Sequence, residues 1–184
     1  LAIVVYLRRA PAAVAPARFE IFPPGKGTFD NIDSPAAISP DGLQIVFALR
    51  DESSKSSLWI RSLDSLEARQ VEGTEDGYDA FWSADGRYIA FGHSGKLMRI
   101  AAAGGPVQPI CDMTDGRGGS WNRDDVVLLT TNGGMSPILR VPASGGAPQP
   151  VTTLDKSRGE VGHWRPRFLP DGKHFLFLIR SSQP

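Results

Sequence analysis

The sequence predicts an all-β protein: an incomplete β-propeller of about three and a half four-stranded antiparallel blades. Three observations carry this expectation. One motif returns about every 43 residues, a second repeat runs without gaps in another register, and the inner-strand segments are apolar on both faces.

The motif is an apolar residue, a tight turn and an apolar run. Ile38-Ser39-Pro40-Asp41-Gly42 precedes Leu43-Gln44-Ile45-Val46-Phe47-Ala48, and Trp82-Ser83-Ala84-Asp85-Gly86 precedes Arg87-Tyr88-Ile89-Ala90-Phe91. Trp121-Asn122-Arg123-Asp124-Asp125 precedes Val126-Val127-Leu128-Leu129, and Phe168-Leu169-Pro170-Asp171-Gly172 precedes Lys173-His174-Phe175-Leu176-Phe177-Leu178. The aspartates at 41, 85, 124 and 171 are 44, 39 and 47 residues apart. In the second register, residues 97–110 align on 138–151, with six identical pairs in fourteen columns, Gly104/Gly145 and Gly105/Gly146 among them.

Each unit reads as four strands. In the second repeat an apolar strand ends at Trp82, a second covers 88–91, a third 97–101 and a fourth 108–111. Asp41, Asp85, Asp124 and Asp171 are expected to cap the tight turns with their carboxylates, and Gly42, Gly86 and Gly172 to supply the positive φ. The runs 88–91 and 175–179 are apolar without alternation, which suits sheets covered on both faces. The column Ile38, Trp82, Trp121, Phe168 is expected to wedge between neighbouring blades. The repeats fall near 36–76, 77–115, 116–160 and 161–184, the last stopping after two strands. Residues 19–22 could supply the outer strand that closes a full ring. Three and a half blades close no ring, so an open arc with adhesive sheet faces is expected, with further blades in the parent chain.

Composition narrows the function classes. Lysine plus arginine (20) balance aspartate plus glutamate (20), so no net charge points to nucleic acid. The single Cys111 excludes an internal disulfide and a cysteine-rich zinc site, and reads as a small half-buried hydrophobe. The run Leu1-Ala2-Ile3-Val4-Val5-Tyr6-Leu7 stops at Arg8-Arg9. Within residues 1–9 it reads either as the end of a transmembrane helix or as a short strand or tail, while 10–18 form a Pro/Ala linker.

Ser-Pro-Asp-Gly followed by an apolar strand resembles the PD40 repeat, the WD40-like repeat of TolB-type propellers, over most of the chain. More narrowly, Leu58-Trp59-Ile60-Arg61-Ser62-Leu63-Asp64, Phe81-Trp82-Ser83-Ala84-Asp85-Gly86 and Gly118-Gly119-Ser120-Trp121-Asn122-Arg123-Asp124 are similar to the propeller of bacterial membrane-anchored serine/threonine protein kinases. Asp125, where glycine would be usual, and Ala84, in place of proline, depart from that pattern. The resemblance implies a non-catalytic sensor on the extracytoplasmic side, anchored through the N-terminal stub, in a parent enzyme whose kinase domain lies elsewhere. A soluble periplasmic TolB-like scaffold and the propeller gate of a prolyl-oligopeptidase-like peptidase are the alternatives.

No catalytic, metal or cofactor constellation is expected. Gly95-Lys96 lacks the first glycine and the Ser/Thr of a phosphate loop, and Gly92-His93-Ser94-Gly95 misses the spacing of a nucleophile elbow. His93, His163 and His174 stand at no metal-ligand spacing. Binding of a protein or small-molecule ligand is assigned to the loops leading into each innermost strand, residues 77–80, 115–120 and 157–164. Tyr78, Asp79, Arg117, Glu160 and His163 are the candidate contact residues.

Overall fold

The computed structural model describes residues 20–29 and 35–182; the stub, the linker and Phe19 lie outside them. Four antiparallel sheets follow one another along the chain. In the first, β1 (Thr28–Phe29) and β2 (Ala37–Ile38) share one edge of β3 (Gln44–Arg50), which continues to β4 (Ser56–Ser62) and β5 (Ala68–Gln70). The second holds β6 (Tyr78–Trp82), β7 (Tyr88–His93), β8 (Lys96–Ala101) and β9 (Gln108–Asp112) in order. The third repeats that order with β10 (Gly119–Trp121), β11 (Val126–Leu129), β12 (Leu139–Pro142) and β13 (Gln149–Pro150). The fourth pairs β14 (Glu160–Phe168) with β15 (Phe175–Ser181).

The gapless repeat is a shared geometry. Arg99 stands opposite Gln108, and Arg140 opposite Gln149. The amides of Ala102 and Ala143 each donate 2.8 Å bonds back to the preceding hairpin, at Arg87 and Asp125.

Stacking faces make the core. Val46, Ala48, Leu58 and Ile60 of the first blade meet Trp82, Ile89, Phe91 and Ile100 of the second. Ala90, on the opposite face of β7, joins Phe81 and Leu97 against Trp121, Val127, Leu129 and Val141 of the third. Every residue from Ile89 to Gly92 is therefore buried, although side chains alternate between faces. In β15 the same kind of sequence behaves differently: Leu176, Leu178 and Ile179 are 63%, 58% and 50% exposed, because no further described sheet covers them.

The wedge column divides in the same way. Trp82 is buried, and its indole N–H donates to the Ala37 carbonyl of the preceding blade at 2.9 Å. Trp121 is buried and stacks on Tyr88 with ring centroids 6.0 Å apart. Phe168 is half-buried against Phe175. Ile38 is not a wedge: it is 57% exposed, since no described blade precedes its own. Residues 20–22 form no strand, and Ile21 instead packs on Ile45, Phe47 and Leu49 over the outer face of the first blade.

The hairpin turns differ in their chemistry. Asp41 accepts from the Ser39 hydroxyl (2.5 Å) and the Leu43 amide (2.9 Å), and Asp85 from the Ser83 hydroxyl (2.6 Å) and the Arg87 amide (3.0 Å). Asp171 accepts from the Lys173 and His174 amides and the His174 ring. Gly42, Gly86 and Gly172 carry φ of 74°, 72° and 69°. In the third repeat Asp124 does not cap. That turn is one residue shorter, closing from Asn122 to Val126, and the Asn122 side-chain oxygen takes over, accepting from the Asp124 and Val126 amides. Asp125 occupies the glycine position at φ 55°, and its carboxylate accepts the Trp121 indole N–H at 3.1 Å.

Two stability measurements follow. Trp82→Ala is expected to cost about 3–5 kcal/mol in urea unfolding, because it leaves a cavity between two blades. The Ser83 hydroxyl first, and the His174 ring for the other turn, hold Asp85 and Asp171 at about 2. Ordinary aspartates titrate at about 4. Folded-state values below the unfolded ones mean that this stabilisation is complete above about pH 4 and is lost as pH falls through about 2. Calorimetry of an Asp85→Asn/Asp171→Asn double variant should show a smaller fall in melting temperature across that window.

Candidate functional site

The chain turns at one repeated position, three residues before the wedge column, within β6 and β14 and immediately before β10. Asp79, Gly118 and Arg165 there have φ of 52°, 86° and 51°. For a residue with a Cβ this left-handed conformation costs about 1 kcal/mol or more. Strand pairing skips at the bend, between Tyr78 and Phe81 in β6 and between Trp164 and Arg167 in β14.

The bends tie neighbouring blades together at their inner edge. The Gly118 amide donates to the Asp79 carboxylate at 2.9 Å, and the Arg165 amide to the Arg117 carbonyl at 2.9 Å. A Cβ on Gly118 would lie 3.2 Å from Arg165 Cα and 3.4 Å from its Cγ, so glycine leaves the room that the Arg165 stem occupies.

Of the five candidate contact residues, the fold gathers three here. Tyr78 is half-buried with its ring flat on Gly92. Burial pushes its phenol upward, the Gly116 amide opposes, and the Asp115 and Asp79 charges add to the rise, so the group stays protonated at neutral pH. Asp79 is buried behind its bond to Gly118. Arg117 pairs with Asp115 at 3.2 Å, its side chain 24% exposed.

Glu160 and His163 are elsewhere, and the expectation that a loop presents them is corrected. Both are buried at the start of β14, where that strand meets the third blade. His163 Nδ1 lies 2.7 Å from the Thr152 hydroxyl, and Nε2 lies 3.1 Å from the Glu160 carboxylate. The Glu160 carboxylate can only accept, so the ring donates from Nε2; in that tautomer Nδ1 accepts the Thr152 hydroxyl hydrogen, while Thr152 Oγ1 accepts the Ile138 amide. The Asp155 amide and His163, in that order, lower the Glu160 pKa. A loop residue turned into strand can bury a carboxylate only with such partners, and this one has them.

Arg165 and Arg167 were not singled out from the sequence. Counting three residues back from Phe168 would have located Arg165 at the bend. Arg167 Nη1 donates to the Gly119 carbonyl at 3.2 Å.

The remaining sequence features are structural. Ser94 and Gly95 form a two-residue hairpin between β7 and β8, with φ of 47° and 76°. Cys111 is buried between the second and third blades, and burial pushes its thiol to about 11, away from thiolate reactivity. Among the described residues no group of three or more His, Cys, Asp or Glu could hold a metal ion, and no helix is long and apolar enough to cross a membrane.

No protein-family model matches this sequence, and no curated protein does. Solved structures do match. A putative TolB from Agrobacterium tumefaciens superposes with a TM-score of 0.68 at 18% identity, over 81% of this chain and 55% of that one. TolB from Acinetobacter baumannii gives 0.65 at 18% identity, over 81% and 38%. The fold is that of a TolB-like β-propeller. The β-propeller domain of the Trilobed protease from Pyrococcus furiosus, which has an open velcro topology, gives 0.50 at 15% identity over 81% of this chain and 54% of that one. The chain thus spans about half the length, or less, of the TolB structures it matches.

Within this TolB-like fold the Thr152–His163–Glu160 chain is a clamp between blades. His163→Ala is expected to destabilise the protein by about 2 kcal/mol, because it leaves buried polar partners unpaired. Urea unfolding checks this; a solvated ligand-binding histidine would leave the midpoint unchanged.

Proposed function

We propose that this chain is a binding module that takes a protein or small-molecule partner where β6, β10 and β14 converge. The observation that carries the proposal is the repeated inner-strand bend. It places Tyr78, Asp115, Arg117, Arg165 and Arg167 together, and it holds two non-glycine residues in a conformation that costs stability. Backbone strain retained by a packed scaffold is a mark of functional positions.

The parent context is a further part of the proposal. The strings around Trp59, Trp82 and Trp121, together with the apolar stub, the arginine pair and the Pro/Ala linker, support an extracytoplasmic sensor attached to a membrane-anchored serine/threonine kinase. The likeness to two TolB structures supports a second reading, a periplasmic scaffold. Reading the coding sequence outward from both ends separates them: a kinase domain upstream supports the sensor, and a secretion signal alone supports the scaffold.

The binding surface is tested with a photo-cross-linking residue in place of Asp115, which is 53% exposed beside Arg117. Cross-linked adducts in the native host are expected there. They are not expected with the same residue in place of Leu66, which is 91% exposed on the outer side of the first blade. Equal adducts at both positions, or none at Asp115, would refute the surface.

A further inference from the structure

The inner edge between the third and fourth blades carries two arginines whose surroundings leave most of their hydrogen-bonding capacity unused. A guanidinium has five N–H donors in a planar fork. Arg167 uses one nitrogen on the Gly119 carbonyl, and among the described residues the half-buried Arg165 guanidinium makes no hydrogen bond or ion pair. The nearby carboxylates are already engaged, Asp79 with the Gly118 amide and Asp115 with Arg117.

The arrangement is costly in two ways. Arg165 stands at φ 51°, the one long side chain among the described non-glycine residues with positive φ; the others are Ser and the better-tolerated Asp and Asn. Arg165 and Arg167 also repel each other. Desolvation first and the Arg165 charge second pull the Arg167 pKa below its ordinary value, with Asp79 opposing. An anion placed between the forks removes the repulsion and satisfies the donors together. Planar, two-oxygen groups match this fork best, which favours carboxylate over a single-point acceptor.

We propose that Arg165 and Arg167 form a subsite for the carboxylates of an acidic segment of a partner protein. This rests on the binding surface assigned above and names the chemistry that the surface reads. Gly118 belongs to the subsite by absence, since a side chain there would displace the Arg165 stem.

The test uses the full chain and a fluorescein-labelled hexaglutamate peptide, followed by fluorescence anisotropy. Binding is expected, and it should weaken with added salt. Arg165→Gly suits the bent backbone, so its melting temperature should not fall, while peptide affinity drops about tenfold. Arg167→Gln should produce a similar drop, and Arg99→Gln, on the third strand of the second blade over Tyr88, none. Absence of peptide binding, or unchanged binding in Arg165→Gly or Arg167→Gln, overturns the proposal. The cross-link at Asp115 is scored separately, so a partner captured there without peptide binding retires the carboxylate subsite and leaves the surface standing.

Discussion

A sheet of four short strands cannot stand alone in water, and everything else in this molecule follows from how it is covered. Each blade exposes two apolar faces, and the second blade shows both of them closed: Ile89 and Phe91 against the first blade, Ala90 with Phe81 and Leu97 against the third. Burial on both sides removes the usual alternation of apolar and polar residues. It also explains why Trp82 and Trp121, whose indoles span the gap, sit at the same place in successive repeats. Where the neighbour is missing among the described residues, the same sequence pattern yields exposed leucines, as in β15.

Face-to-face stacking constrains the inner edge as well. Neighbouring inner strands approach closely there, and their backbone groups need partners across the gap. The bends at Asp79, Gly118 and Arg165 provide them: a carboxylate reaches one amide, and a carbonyl reaches the next. Side chains near the bends reach the neighbouring blade: Asp79 the Gly118 amide, and Arg167 the Gly119 carbonyl. Packing thus generates a polar, charged wall next to a dry core.

The buried clamp at the fourth blade illustrates how a polar group can mislead. Glu160 and His163 carry the residue types of a ligand site, but Thr152, the Asp155 amide and each other satisfy them inside the protein. The His163 ring also packs on Phe177, at 4.6 Å between centroids. Their role is to seat β14 on the third blade, and the arginines two and four residues beyond His163, the first half-buried and the second exposed, are the groups left at the inner edge.

The sequence alone determined the four-stranded repeat, three of its four Asp-capped turns, and Trp82 and Trp121 as wedges between blades, because strand period, Asp-Gly turn chemistry and the gapless repeat are local properties that chain order preserves. It did not determine that Asn122 replaces Asp124 as a cap, since a turn one residue shorter changes which side chain reaches the amides. Nor did it separate Ile38 from Trp82 within one column, since exposure depends on whether another blade lies alongside. The sorting of Tyr78, Asp79 and Arg117 into one place, Glu160 and His163 into another, and Arg165 and Arg167 onto the inner wall was decided by tertiary structure. Which charged residues meet depends on contacts between blades some 40 residues apart in the chain, and on a backbone bend that no composition or periodicity records.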